Sequence, residues 1–339
     1  MKLLKGPLIM GAALLLLPVA GYAGDDARQI LSKFATSRTD ISYIGLQTVV
    51  TLSGEMVGTS KYRMSRYLSE MERLERLDEK NTVTEMVIDD KKSLFRYVPE
   101  KKTVYKDHSN LAGLTQATMR ESMELAKANY EITVAGKDTV ANRECVKVLF
   151  KPKRNDRPSR QLCLDSANGL PLRTEIHDAT GKVTTISSFT EIVFAPAFPD
   201  RHFMLMVPQK TRVVELDEIP NLTPVSASKI LGAPIPMPAY VPPGYALREV
   251  SLIGKTAPYK VQLAYGDGLT SLSIFQDTKK DPAQPRGMRK VSLSGGSDGY
   301  LKQFGQTSLL VFGYKNSTFT VIGEINPQEL ARIAGSFPQ

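Results

Sequence analysis

Short runs rich in Val, Ile, Tyr and Thr, separated by tight, turn-forming breaks, constrain this chain more than any other feature. Ile41–Leu52, Ser60–Tyr67, Thr82–Ile88, Ser93–Val98 and Thr103–Lys106 read as strands. Between them lie Ser53-Gly54, Asp89-Asp90-Lys91-Lys92 and Pro99-Glu100-Lys101-Lys102. Such close spacing implies an antiparallel meander, in which neighbours in sequence are neighbours in the sheet. One segment is ambiguous, because Leu68, Met71, Leu74 and Leu77 recur every third residue among good helix formers. Its hairpin-linked neighbours decide for a strand over Leu68–Asp78.

Two helices interrupt the pattern. Asp25 or Asp26 caps a short one whose apolar side holds Ile30, Leu31 and Phe34. The second is expected over Asn110–Asn129, with Leu111, Leu114, Met119, Met123 and Ala126 along one side. Leu111, Leu114, Met119 and Met123 are candidates to face a lipid or peptide, since Met-rich surfaces adapt to varied ligands. The other reading is that this side simply packs on the sheet. Strand patterns resume at Tyr130–Val134, Leu172–His177 and Val183–Phe194. A long, curved antiparallel sheet with few helices follows, and its interior is either an apolar cavity or filled with side chains.

Cys145 and Cys163 are the chain's two cysteines. Each sits in an apolar alternating run, and Lys151-Pro152-Lys153-Arg154-Asn155-Asp156-Arg157-Pro158 between them is polar and turn-prone. A hairpin centred near Arg154 sets the two directly opposite, so a cross-strand disulfide is expected, with two buried free thiols as the alternative. Closing a loop of that length stabilises the fold by roughly 3 kcal/mol in the chain-entropy model.

The compartment follows from the N-terminus. Lys2 and Lys5, the apolar run Leu8–Val19 and the small residues of Ala20-Gly21-Tyr22-Ala23 have the form of a secretory signal spanning residues 1–23, cleaved after Ala23. The run is shorter than the roughly 20 residues of a permanent span, although an uncleaved anchor is the competing interpretation. The formal charge of +9 becomes +7 once the two leader lysines are removed. A basic protein outside the cytoplasm is drawn to anionic lipid, lipopolysaccharide or acidic peptide. Nucleic acid is not an expected partner there, and no zinc-finger, RNP or basic-helix pattern appears.

Proline thickens from Pro196 to Pro243, so extended, weakly paired backbone is expected at the domain boundary. The organisation read from this is a first domain over residues 24–204, a Pro-rich linker over 205–235 and a smaller domain over 236–339. In the last, strands are expected at Tyr245–Leu252, Lys260–Tyr265, Leu269–Gln276, Lys290–Leu293, Thr307–Tyr314 and Thr318–Ile322. A final helix starts at Asn326-Pro327 and turns Leu330, Ile333 and Ala334 inward. The fold class is therefore α+β, mostly antiparallel β.

Catalytic chemistry finds little purchase. Gly295-Gly296-Ser297-Asp298-Gly299 matches the GxSxG elbow of hydrolases, but that fold needs a histidine after the serine and none follows Ser297. His108, His177 and His202 are scattered, without metal-ligand spacing to one another, to cysteine or to carboxylate. No cofactor motif is present, and the chain reads as a non-enzyme. Lys151, Lys153, Arg154, Arg157 and Arg160 form the strongest local charge cluster, either candidate contacts for an anionic ligand or a solvated loop.

A family resemblance rests on short motifs in fixed order. Tyr62-Arg63, Tyr97-Val98-Pro99, Asn142-Arg143-Glu144-Cys145, Gly169-Leu170-Pro171-Leu172-Arg173 and Phe189-Thr190-Glu191-Ile192 mark the first domain. Pro242-Pro243-Gly244-Tyr245, Tyr265-Gly266-Asp267-Gly268-Leu269 and Val321-Ile322-Gly323-Glu324-Ile325 mark the second. In these the chain resembles the MucB/RseB family of sigma-E regulators, whose first domain is similar to lipoprotein carriers of the LolA/LolB type. The resemblance implies a half-open β-barrel with packed helices, followed by a small α+β domain. It further implies a periplasmic protein that binds the extracytoplasmic segment of a membrane anti-sigma factor, shields it from proteolysis and is released by lipid or lipopolysaccharide. A homodimer stays open, and the rival expectation is a periplasmic lipid or lipoprotein carrier.

Overall fold

The computed structural model describes residues 24–53, 56–215, 217–277, 287–293 and 298–338. The expected leader and Ser297 lie outside them. In chain order the first part comprises α1 (Gly24–Asp40), β1 (Tyr43–Ser53), β2 (Met56–Tyr67), β3 (Met71–Leu77), β4 (Val83–Asp89), β5 (Ser93–Val98), β6 (Thr103–His108), α2 (Gln116–Asn129), β7 (Tyr130–Val140), β8 (Arg143–Pro152), β9 (Ser159–Asp165), β10 (Pro171–His177), β11 (Val183–Phe194) and β12 (Arg212–Glu215). The second comprises β13 (Glu218–Leu222), α3 (Pro224–Leu231), β14 (Ala246–Ile253), β15 (Lys260–Gly266), β16 (Ser271–Asp277), β17 (Arg289–Ser292), β18 (Asp298–Phe304), β19 (Thr307–Tyr314), β20 (Ser317–Gly323) and α4 (Pro327–Ala334).

The first twelve strands make one open sheet, in the order β12-β6-β5-β4-β3-β2-β1-β11-β10-β9-β8-β7. It is antiparallel except at β12, which lies parallel to β6 from Arg212 opposite Thr103 to Glu215 opposite Lys106. The other eight form an antiparallel sheet, β13-β14-β15-β16-β20-β19-β18-β17. The segment Leu68–Asp78 is mostly strand, as its hairpin neighbours dictate: β3 pairs with both β2 and β4.

The β8–β9 hairpin is covered on both faces along its inner residues. Val146, Val148, Phe150, Leu162 and Leu164 point to one side and pack with Ile30 of α1 and Ala126 of α2. Cys145 and Cys163 point to the other, among Tyr43, Leu170, Leu172 and Phe189. The cysteines are joined, with Cα atoms 5.4 Å apart. They are not directly opposite: Cys145 pairs with Asp165 and Lys147 with Cys163, so the bridge runs diagonally and the hairpin centres on Asn155 rather than Arg154.

Helix α2 begins six residues later than its apolar periodicity suggests. The Asp89 carboxylate accepts the backbone N–H groups of Asn110 (2.7 Å) and Leu111 (3.2 Å), and the Ser109 hydroxyl accepts those of Leu111 and Ala112. These bonds hold residues 109–112 in a turn, and a Thr115–Thr118 capping box then starts the helix.

The tract 205–235 is more structured than its prolines indicate. It carries β12, β13 and α3, and Pro224 occupies the first turn of α3, where the missing N–H costs nothing. Its strands belong to different sheets, so the chain crosses between β12 and β13. In the second sheet, β18 escaped the pattern reading. Its inward residues are Gly299 and Leu301, and the glycine weakens the alternation. Helix α4 packs on β19 and β20 and buries Leu330, Ile333 and Ala334. Asn326 stands at its N-cap position without a capping side-chain bond and donates from Nδ2 to the Asn155 carbonyl of the β8–β9 hairpin instead.

Candidate binding site

Where the two sheets meet, a buried carboxylate organises the contact. Asp267 sits in the turn between β15 and β16, and its Oδ1 accepts the N–H groups of Leu269 (2.9 Å) and Thr270 (2.7 Å). Its Oδ2 accepts the Tyr130 hydroxyl from the first domain at 2.6 Å and the Arg157 guanidinium at 2.7 Å. Both Arg157 and Asp267 are almost wholly buried. Arg157 also binds Asp156 (2.7 Å) and the Pro243 carbonyl (2.8 Å), and lies 4.5 Å from the centre of the Tyr245 ring. Burial alone would push the Asp267 carboxyl up, but hydrogen bonds from Tyr130, the two amides and Arg157 hold it below the usual carboxylate range. The Tyr130 hydroxyl is pushed up by burial and by the Asp267 charge.

Two glycines let the domains approach this closely. A Cβ on Gly268, at φ +101°, would stand 2.4 Å from the Ala126 nitrogen and the Ser122 carbonyl of α2. One on Gly244, at φ +94°, would meet Asn129 Oδ1 at 2.1 Å. Asn129 itself donates to the Gly244 and Asp267 carbonyls. The motifs Pro242–Tyr245 and Tyr265–Leu269 are thus parts of the second domain that grip α2 of the first.

The basic hairpin tip divides between this joint and solvent. Arg157 is consumed by Asp156 and Asp267, and Arg160 pairs with Glu324 of the second domain. Lys153 donates to the Lys127 and Ala128 carbonyls at the end of α2, as expected of a cation at a helix C-terminus. Lys151 and Arg154 are exposed. Lys153, Arg154 and Arg157 line a cleft of about 510 Å³ between the domains, together with Asn129, Pro243 and Gly244.

The four candidate apolar residues do not form one helical stripe. Leu111 is buried and Leu114 half-buried, both ahead of α2, and Met119 is half-buried on its first turns. Met123 is buried and faces α1, where it lines a second cleft of about 440 Å³ with Leu31 and Ala35. Arg28, Arg120 and Lys127 ring that cleft with Glu124, which pairs with Lys127 at 2.6 Å, a net cationic rim over an apolar floor. Sequence reasoning missed these three cations. Their helical spacing was visible, with Arg120 three residues before Met123 and Lys127 four after it. What the sequence lacked was the neighbour: the face opposite α2 is α1.

The histidines separate widely. His202 packs against Phe198 and edge-on against Phe203, and His177 lies 3.6 Å from Glu175. His108 lies beside Asp107 and Glu218, whose ligand atoms come within 4.8 Å of one another. Among the described residues no helix is long and apolar enough to cross a membrane, which says nothing of strands.

Comparison with known proteins places this geometry. No curated protein matches the chain. Among solved structures, MucB in the Pseudomonas aeruginosa MucA/MucB complex is 19% identical, with a TM-score of 0.61 over 92% of this chain and 98% of that one. MucB in complex with MucA(peri) is 20% identical, with a TM-score of 0.60 and the same coverage. A crystal structure of MucB gives 18% and 0.57, over 94% of this chain and 99% of that one. The fold therefore extends across both domains. The family model described as the MucB/RseB N-terminal domain matches residues 26–207, more than half of the sequence, and the chain belongs to the MucB/RseB family.

Proposed function

We propose that this protein works in the periplasm as a negative regulator of an envelope-stress sigma factor. It binds the extracytoplasmic segment of a membrane anti-sigma factor and shields that segment from proteolysis, and lipid or lipopolysaccharide releases it. The observation that carries the reading is the likeness across both domains to MucB, a protein solved in complex with MucA(peri). A lipid carrier would need the first sheet and its cavity; the second sheet, locked to it through Asp267, favours a two-domain binding protein.

The clefts suit the releasing ligand. An apolar floor of Leu31, Ala35 and Met123 under Arg28, Arg120 and Lys127 matches an amphiphile with acyl chains and a phosphate-bearing head. Such a ligand shifts the equilibrium between bound and released states only by its difference in affinity for them. The test is a protease-protection assay with the mature protein and the periplasmic segment of the anti-sigma factor from the same cell. The expected result is protection that purified lipopolysaccharide abolishes, with more lipopolysaccharide needed for an Arg120→Glu/Lys127→Glu variant. Lipid uptake without any binding of the anti-sigma segment would assign the protein to the carriers instead.

A further inference from the structure

The chain carries a formal charge of +9, yet the point where it passes from the first sheet to the second is acidic. Glu215, Asp217 and Glu218 fall within four residues there, and β6 ends alongside with Asp107 and His108. Lysines answer two of the carboxylates: Lys106 lies 3.2 Å from Glu215 and Lys255 3.6 Å from Asp217. Asp107 and Glu218 have no cationic side chain paired with them among the described residues apart from His108, whose Nδ1 is 3.9 Å from the Asp107 carboxylate. One ligand atom from each of Asp107, His108 and Glu218 lies within 4.8 Å of the others. A cleft of about 190 Å³ opens beside these residues, lined by Asp107, His108, Glu215 and Asp217 together with Ser93, Lys92 and Lys106.

We propose that Asp107, His108 and Glu218 bind a divalent ion of the zinc type. One imidazole nitrogen and two carboxylate oxygens form a mixed donor set that suits zinc, whereas magnesium and calcium favour oxygen alone. Bonds of about 2.0–2.2 Å put the ligand atoms of a tetrahedral site roughly 3.4 Å apart, so this cluster has to close by little more than 1 Å. Asp107 and Glu218 are half-buried and His108 is exposed, and rotation of their side chains covers that distance. Three protein ligands leave the fourth position to water or to Asp217. The ion ties the end of β6 in one sheet to the start of β13 in the other, and neutralises two carboxylates that otherwise face each other.

Titration calorimetry of the tag-free mature protein with zinc chloride tests this, with a thermal melt of each variant beforehand to establish that it is folded. The expected result is one zinc ion per chain, lost in His108→Ala and unchanged in His177→Ala. Glu218→Gln and Asp107→Asn should weaken binding by at least the roughly tenfold that loss of a merely orienting partner costs. Zinc should raise the melting temperature of the wild type and leave that of His108→Ala where it was. Absence of zinc uptake, or uptake that His108→Ala and Glu218→Gln do not alter, overturns the proposal.

Discussion

Asp267 shows how much of a joint can depend on one carboxylate. It takes three hydrogen bonds from its own turn, one from Tyr130 and one from Arg157, and both it and Arg157 are almost wholly buried. Removing one member of such a pair strands the other, at a cost of about 3–5 kcal/mol. Asp267→Ala should therefore lower the unfolding free energy by that amount in urea titrations, and Tyr130→Phe, which removes a single donor, by about 1–3 kcal/mol. The pH dependence has a definite sign. Because the folded-state carboxyl sits below its ordinary range, it contributes stability that is fully present above an unfolded value near 4 and fades as pH falls through the folded one. The wild type should lose stability on acidification from about pH 5 downward, and Asp267→Asn should lose less of it over the same range.

Among the elements, the strands were largely legible and their exceptions have physical causes. Val183–Phe194 and Thr307–Tyr314 were legible end to end, and in the second Ser308, Leu310 and Phe312 are buried in alternation with half-buried neighbours. The start of α2 was not legible, since the bonds that hold residues 109–112 in a turn come from Asp89, on a strand some twenty residues earlier. The cysteine hairpin was read correctly as a hairpin and misplaced by one residue, because a polar turn of that length fixes its centre only loosely. Its bridge lies diagonally yet still closes 18 residues of chain. Reducing it should lower the unfolding free energy by about 3 kcal/mol, a difference readable from denaturant midpoints with and without dithiothreitol.

For the whole molecule, the joint between the domains was the least legible feature. Arg157 and Asp267 are 110 residues apart, and as residues of a basic tip and a glycine turn neither announces the other. Both motifs of the second domain that meet α2 were marked in the sequence, but nothing in it indicated that they face that helix. Gly268→Val should wedge the domains apart, since the new side chain would overlap the α2 backbone and strain a left-handed φ. Hydrogen exchange should rise at residues 126–130 and 267–270 while the strands of both sheets stay protected, and scattering should report a larger radius of gyration.

The handover from β12 to β13 sets how far such an opening can go. With β12 seated on β6, two residues separate the last pairing in one sheet from the first in the other, a reach of about 10 Å. Peel those four residues away, and the chain is next held at buried Phe203 and at the His202 carbonyl, which accepts from Arg73, leaving a leash to Glu218 that extends to roughly 50 Å. A four-residue strand is thus a ratchet pawl: engaged, it confines the second domain to swivelling in place, and lifted, it lengthens the tether between the sheets several-fold.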